Sequence, residues 1–148
     1  YRTRSLVLGW VSAVLVVAVV GLGAWILFAD EPGQELTSEQ EQSLETIEAY
    51  LAAWNAGDGA AADALMDPNG YLEDPGGRFY VADGSHARWL ESVQSMGFAM
   101  ELVDTYAKDN IVLVTYRSAE GGNPSTPNVY YMSPDGTQIR WVIEPYPP

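Results

Sequence analysis

The sequence predicts an α+β domain behind a single N-terminal transmembrane helix, and two observations support this prediction. Residues 5–29 form one apolar run without an ionisable side chain. After residue 36 the apolar residues first recur with the 3.6-residue period of helices and then, from Phe98 onward, with the two-residue period of strands. Helices followed by consecutive strands indicate about three helices packed on one side of a curved antiparallel sheet.

The apolar run is long enough to cross a membrane. A helix over residues 5–29 would extend about 37 Å, whereas the hydrocarbon core of a bilayer is about 30 Å thick. Two arginines lie within residues 1–4 and two acidic residues follow the run. The positive-inside rule therefore predicts a cytoplasmic stub at residues 1–4, a single-pass helix, and a domain on the extracytoplasmic face of the cell membrane. A cleaved signal peptide is the alternative, but the run exceeds the usual apolar region of about 7–15 residues and no A-x-A site follows.

Small residues on this predicted helix suggest a packing face. Gly9 and Ala13 are four residues apart, and Gly21 and Ala24 are three apart. Such spacing lets a second helix approach closely, so we expect contact with other membrane-protein subunits within the lipid bilayer. Glycine and alanine are also common in membrane helices in general, and the spacing alone leaves both interpretations open.

The charge and the cysteine count exclude several functions. The chain carries 20 acidic and 7 basic residues, for a net charge of −13. It has no basic patch to neutralise phosphates, so we expect no nucleic-acid binding. With no cysteine and one histidine it lacks the ligands of a tetrahedral zinc site, and no calcium-loop motif is present. We therefore expect no metal and no cofactor.

The helical part of the domain begins after a polar linker at residues 30–36, so that the domain spans residues 37–148. Two overlapping capping boxes, Thr37 with Gln40 or Ser38 with Glu41, mark the first helix. Its apolar face is formed by Leu44, Ile47, Tyr50, Leu51 and Trp54. We expect a second, short helix over residues 60–66 and a third over residues 85–96.

The strands are expected at residues 98–107, 110–118, 128–133 and 138–144, from their two-residue period. Residues 71–80 are expected to be irregular or a short strand, because Asp74-Pro75-Gly76-Gly77 interrupts them. The sequence Ser133-Pro134-Asp135-Gly136 predicts a type I turn before the last strand.

Residues 47–58 (IEAYLAAWNAGD) resemble the first helix, and its W-N-A-G-D exit, of the nuclear transport factor 2-like superfamily. Residues 61–66, residues 71–75 (YLEDP) and Gly84 continue the resemblance, which covers roughly residues 40–145. It implies the cone-shaped fold shared by ketosteroid isomerases and small polyketide cyclases. It says less about function, because this fold hosts enzymes, ligand binders and interaction domains.

The resemblance also implies a pocket between the helices and the concave face of the sheet, with an acid and often a histidine or tyrosine in it. Three residues are candidates: Asp74 at the rim, His86 as the only histidine, and Asp104, which interrupts an apolar strand face. If that face is buried, desolvation would raise the pKa of Asp104 and suit it to acid–base work. Tyr116 or Tyr130 would then donate a hydrogen bond to a developing oxyanion.

Structural interpretations of the same residues stay open. Asp74 precedes Pro-Gly and is often only a turn residue in such a place. His86 is equally consistent with a solvated first turn, and a register shift of one residue would turn Asp104 to solvent. The candidate pocket residues are Tyr50, Trp54, Trp89, Tyr116 and Trp141. All of them except Tyr116 are most simply interpreted as core residues.

Two functions follow from these expectations. The first is a non-catalytic accessory or scaffolding subunit of a larger bacterial membrane complex, for example a respiratory one, with the cavity filled by tyrosine and tryptophan rings. The alternative is a membrane-tethered small-molecule-binding protein, or an enzyme like the polyketide cyclases and isomerases, with an open cavity lined by Asp104. We favour the first, and lean towards a protein that is not an enzyme.

Overall fold

A computed structural model of the chain describes residues 35–125 and 127–144. The described elements belong to one compact unit that begins at Leu36. They follow the order α1 (Ser38–Ala56), α2 (Gly59–Ala64), β1 (Met66–Asp74), β2 (Gly77–Tyr80), α3 (Ser85–Ser95), β3 (Met100–Lys108), β4 (Ile111–Ser118), β5 (Asn128–Met132) and β6 (Ile139–Ile143). The predicted three helices and the four later strands are confirmed, with ends that differ by at most two residues.

The six strands form one sheet in the order β2-β1-β6-β5-β4-β3. The pairs β1–β2, β3–β4, β4–β5 and β5–β6 are antiparallel, as expected, but β1 pairs with β6 in parallel. The prediction of a fully antiparallel sheet was therefore wrong at this pair. The cause is that residues 66–74, which the sequence predicts to be a helix end, a turn, and an irregular segment or short strand, form one strand whose register shifts between Met66 and Tyr71.

Local signals explain where the helices begin and end. The hydroxyl of Thr37 accepts a hydrogen bond from the backbone N–H of Gln40, and the Gln40 side chain accepts one from Thr37, so the predicted capping box is present. Helix α1 ends at Gly57, whose φ of 67° suits glycine. Asp58 then caps α2 by accepting from the N–H of Ala61.

The core lies between the three helices and one face of the sheet. It includes Ile47 and Tyr50 from α1, Leu90 from α3, and Val114 and Val142 from the sheet, all at most 2% exposed. Asn55, at the end of α1, holds the start of β3 through two hydrogen bonds with the backbone of Met100. This clamp keeps the end of α1 beside the sheet, where the cavity described below opens.

A β-bulge in β3 decides where Asp104 lies. Leu102 pairs with Tyr116, but Asp104 pairs with Thr115, so Val103 is the extra residue. Residues directly opposite in an antiparallel pair share a face, and Asp104 is therefore on the face opposite to Leu102 and is exposed.

Within residues 35–125 and 127–144 no helix has the length and apolar character that a membrane span needs. The predicted span at residues 5–29, with Gly9, Ala13, Gly21 and Ala24, lies outside the described residues. It stays a prediction, as do the linker and the side of the membrane on which the domain lies.

Candidate functional site

A cavity of about 410 Å³ opens between α1, α3 and the sheet. Its size is within the range of small-molecule sites. The surface of the cavity is mostly apolar, although polar side chains also contribute to it. The lining residues are Trp54, Asp74, Trp89, Val93, Phe98, Ala99, Met100, Tyr116, Arg117, Ser118, Asn123, Ser125 and Glu144.

Packed aromatic rings make one wall of the cavity. The ring of Trp54 meets that of Trp89 edge to face, with centroids 5.0 Å apart, and Phe79 stacks on Trp89 at 5.3 Å. The backbone carbonyl of Trp54 accepts a hydrogen bond from the side chain of Gln94 on α3, which joins the two helices at this wall. The rings of Trp54 and Trp89 line the cavity and leave it open, and such a wall suits a flat apolar ligand.

Glu144, directly after β6, places a carboxyl group at the cavity. Burial, with a smaller contribution from the neighbouring charge of Asp74, raises the pKa of Glu144 to about 7. Its backbone N–H donates to the carbonyl of Glu73, which extends the pairing of β6 with β1. A carboxyl group with this pKa can both accept and return a proton near neutral pH, as general acid–base chemistry requires.

Asp74 is the second carboxylate of the cavity, and it is held firmly. Its Oδ1 accepts from the backbone N–H groups of Gly76 and Gly77, and its Oδ2 accepts from Trp89 Nε1 at 3.1 Å. Asp74 is therefore both a turn residue and a pocket residue, and these are the two interpretations that the sequence left open. These partners fix the Asp74 carboxyl group in place.

Tyr116 lines the cavity, and its hydroxyl oxygen is hydrogen-bonded to that of buried Tyr130. Burial raises the pKa of both tyrosines well above the usual value, so both are neutral hydroxyls. The loop after β4 holds Tyr116 in place, since the backbone N–H of Tyr116 donates to Ser125 Oγ and the carbonyl of Tyr116 accepts from the N–H of Ser125.

His86 lies in the core, so the solvated first-turn interpretation was wrong. Its side chain is 0% exposed, with Nδ1 2.5 Å from Asp63 Oδ1 and Nε2 2.8 Å from the hydroxyl of Tyr50. The first distance would suit an ion pair, but burial lowers the pKa of His86 more strongly than Asp63 raises it. The imidazole of His86 is therefore neutral.

The structure brings together only some of the residues predicted for the pocket. Trp54, Trp89, Tyr116 and Asp74 line the cavity, whereas Tyr50 is buried behind it. Trp141 is not in the lining, because its place in β6 puts it opposite Tyr131, on which it stacks at 4.6 Å, away from the face of buried Val142.

Asp104 and His86 do not line the cavity. The β3 bulge exposes Asp104, whose Oδ1 accepts from the N–H of Thr105, and the desolvation that would suit it to acid–base work is absent. Sequence reasoning missed Glu144. The only available signal was that Glu144 lies two residues after Val142 and so shares its face of β6.

A layer of three helices on a six-stranded sheet, with an apolar cavity between them, defines the class of α+β pocket domains. The sequence of residues 47–142 matches the model of the SnoaL-like domain, and the chain belongs to this family. The expected resemblance to the nuclear transport factor 2-like superfamily is thereby confirmed for the domain.

Solved structures agree on the fold. A SnoaL-like protein from Burkholderia thailandensis is 21% identical, with a TM-score of 0.58, and the match covers 74% of this chain and 97% of that one. A putative isomerase of the SnoaL-like family from Agrobacterium tumefaciens is 20% identical (TM-score 0.56; 70% and 95% covered). A putative polyketide cyclase from Sinorhizobium meliloti is 19% identical (TM-score 0.55; 68% and 96% covered). None of the functionally curated proteins matches the chain.

Proposed function

We propose that the domain binds a small, neutral, apolar molecule that carries a carbonyl group, and that it moves a proton at the carbon next to that group. The observation that carries this proposal is the carboxyl group of Glu144, with a pKa of about 7, on the wall of an apolar cavity. The names of two fold neighbours, a putative isomerase and a putative polyketide cyclase, agree with such chemistry.

Glu144 and Tyr116 can carry out the steps of this reaction. The carboxylate of Glu144 takes the proton from the carbon next to the carbonyl group, and the C–H electron pair forms the C=C bond of an enolate. The carbonyl π pair moves to the oxygen, where the hydroxyl of Tyr116 donates a hydrogen bond to the developing charge. Glu144 then returns a proton to carbon, so that the carbonyl compound is regenerated or isomerised.

The charges around the cavity favour a neutral ligand over an anionic one. The lining contains two carboxyl groups, those of Asp74 and Glu144, and its basic residue, Arg117, is paired with Glu101 at 2.9 Å. An anionic ligand would have to compete with these carboxylates, whereas a neutral carbonyl compound would not.

The proposal is tested with 2-tetralone, a flat neutral ketone with exchangeable protons next to its carbonyl group. In D2O the full chain in a mild detergent should speed the exchange of these protons, followed by proton NMR. The rate should rise with pH to a plateau, with a midpoint about pH 7, because the carboxylate of Glu144 is the base. Glu144→Gln should reduce the rate at least a hundredfold and Asp104→Asn should leave it unchanged. Exchange that is equally fast with Glu144→Gln would refute the role of Glu144.

The accessory-subunit function stays a prediction. The open cavity supports the ligand-binding alternative, since the accessory role predicts a cavity filled by rings. Its test is purification in a mild detergent followed by mass spectrometry. Co-purifying membrane subunits that are lost when residues 1–29 are replaced by an unrelated span would support it, and recovery of the chain alone would contradict it.

A further inference from the structure

The core-facing row of β4 changes from buried to polar and exposed where it reaches the cavity. Residues two apart on a strand share a face, so Val112, Val114, Tyr116 and Ser118 form one row. The first three are buried, whereas Ser118 is exposed and lines the cavity. The row therefore ends in a serine hydroxyl group, about 7 Å along the strand from Tyr116.

The loop after β4 adds two more polar side chains to the lining, those of Asn123 and Ser125. The loop turns at Gly121 and Gly122, whose φ values of 98° and 123° favour glycine. Ser125 is then tied to the backbone of Tyr116 by the two hydrogen bonds described above. The polar lining residues of this loop are thus held beside the end of β4.

These three side chains have unused hydrogen-bonding groups. The hydroxyl oxygen of Ser118 accepts from the N–H of Glu120 at 3.3 Å, and that of Ser125 accepts from a backbone N–H at 3.0 Å. Within the described residues neither hydroxyl proton is donated to another group, and the amide of Asn123 has no partner. An amide both donates and accepts, and each serine hydroxyl adds one donor. This side of the cavity can therefore bind a polar group of either kind.

The register of the sheet separates these side chains from Glu144. Through the pairing of β6 with β5, Glu144 is level with Asn128, which pairs with Val114 on β4. Ser118 lies four residues further along β4, about 13 Å away. Tyr116 lies between the two positions. A ligand whose carbonyl group is held by Glu144 and Tyr116 therefore points its far end towards Ser118 and the loop.

We propose that Ser118, Asn123 and Ser125 form a polar subsite that selects flat ketones with a second oxygen, as a hydroxyl or carbonyl group, at the end remote from the reacting carbonyl. This inference deepens the proposed function and rests on it for the placement of the ligand. The second oxygen accepts from a serine hydroxyl or from the amide of Asn123, and the proton of a ligand hydroxyl is donated to the amide oxygen. An apolar end would displace water from these groups without replacing its hydrogen bonds, which lowers affinity.

The first test compares two ligands of the same shape. The compounds 6-hydroxy-2-tetralone and 6-methyl-2-tetralone differ by a hydroxyl in place of a methyl group, and both are neutral at pH 7. Isothermal titration calorimetry uses the full chain in a mild detergent, with free concentrations corrected for uptake into the detergent. The Kd should be at least about threefold lower for the hydroxy compound. A smaller ratio, or tighter binding of the methyl compound, would overturn the inference.

Substitutions decide whether this preference comes from the proposed subsite. Ser118→Ala combined with Asn123→Ala should bring the two Kd values within about twofold of each other, with little change for the methyl compound. Both side chains are exposed, so their loss should leave the fold intact. Asn69→Ala is the matched control, because Asn69 is exposed and lies outside the lining, and it should keep the preference. A preference that survives the double substitution would overturn the inference.

Proton–nitrogen-15 NMR of the Asn123 side-chain amide reports on the subsite in the wild type. Its signal, identified by its loss in Asn123→Ala, should shift more with the hydroxy compound than with the methyl compound, and equal shifts would overturn the inference. The two proposals fail in different ways. A binding preference without proton exchange would contradict only the role of Glu144, whereas exchange without a preference would overturn only the subsite.

Discussion

The buried carboxyl group of Glu144 makes a quantitative prediction for stability. Burial and the charge of Asp74 raise its pKa from 4.5 to about 7 in the folded chain. Between these two values the folded chain keeps a proton that the unfolded chain has lost, so a rise in pH lowers the free energy of unfolding. At about 1.4 kcal/mol for each tenfold change in the ionisation constant, Glu144 should cost about 3 kcal/mol above pH 8 relative to pH 4.

Glu144→Gln removes this cost, because the amide cannot ionise. The free energy of unfolding of Glu144→Gln minus that of the wild type should therefore rise by about 3 kcal/mol between pH 4 and pH 8, measured by urea denaturation followed by tryptophan fluorescence. Taking this difference removes the effects of groups that titrate in both proteins, including His86, whose lowered pKa makes stability rise with pH through about 6.5.

Glu48→Gln is the matched control, since Glu48 lies exposed on α1. Its difference from the wild type should stay within about 0.5 kcal/mol at every pH. If the difference in the free energy of unfolding between Glu144→Gln and the wild type does not depend on pH, Glu144 ionises as it does in water. This result would contradict its role as an acid–base group.

Three further substitutions test the fold around the site. Gly136→Ala should destabilise the domain by about 3 kcal/mol in urea denaturation, because Gly136 has a φ of 73° and a Cβ there would lie 2.4 Å from the carbonyl oxygen of Glu39. A loss of stability below about 1 kcal/mol would contradict this close approach. Leu90→Ala should cost about 3 kcal/mol by the same assay, since Leu90 is 0% exposed in the core, and an unchanged midpoint would refute its burial. Asp58→Ala should lower stability by about 1 kcal/mol through loss of the cap of α2, while Asp58→Asn should lose little.

The sequence by itself determined the helices and most of the strands, because these depend on local periodicity and on caps. The capping box at Thr37 and the alternation of Val112, Val114 and Tyr116 are both visible in neighbouring residues. The acidic composition and the aromatic residues Trp54 and Trp89 of the cavity wall could be found in the same way. The charge pattern around residues 5–29 is also local, and its prediction of a membrane span lies outside the described residues.

Only the tertiary structure decided that Glu144, and not Asp104, joins Asp74 in the lining of the cavity. One extra residue in β3 turns Asp104 to the outer face, and nothing in the strand's own pattern indicates this bulge. Glu144 reaches the cavity because β6 pairs in parallel with β1, which lies about 70 residues earlier in the chain. His86 is neutral and buried for a similar reason, because its partners Asp63 and Tyr50 come from two other helices. Burial and the nearness of other charges set a pKa, and both arise from contacts between residues that are distant in sequence.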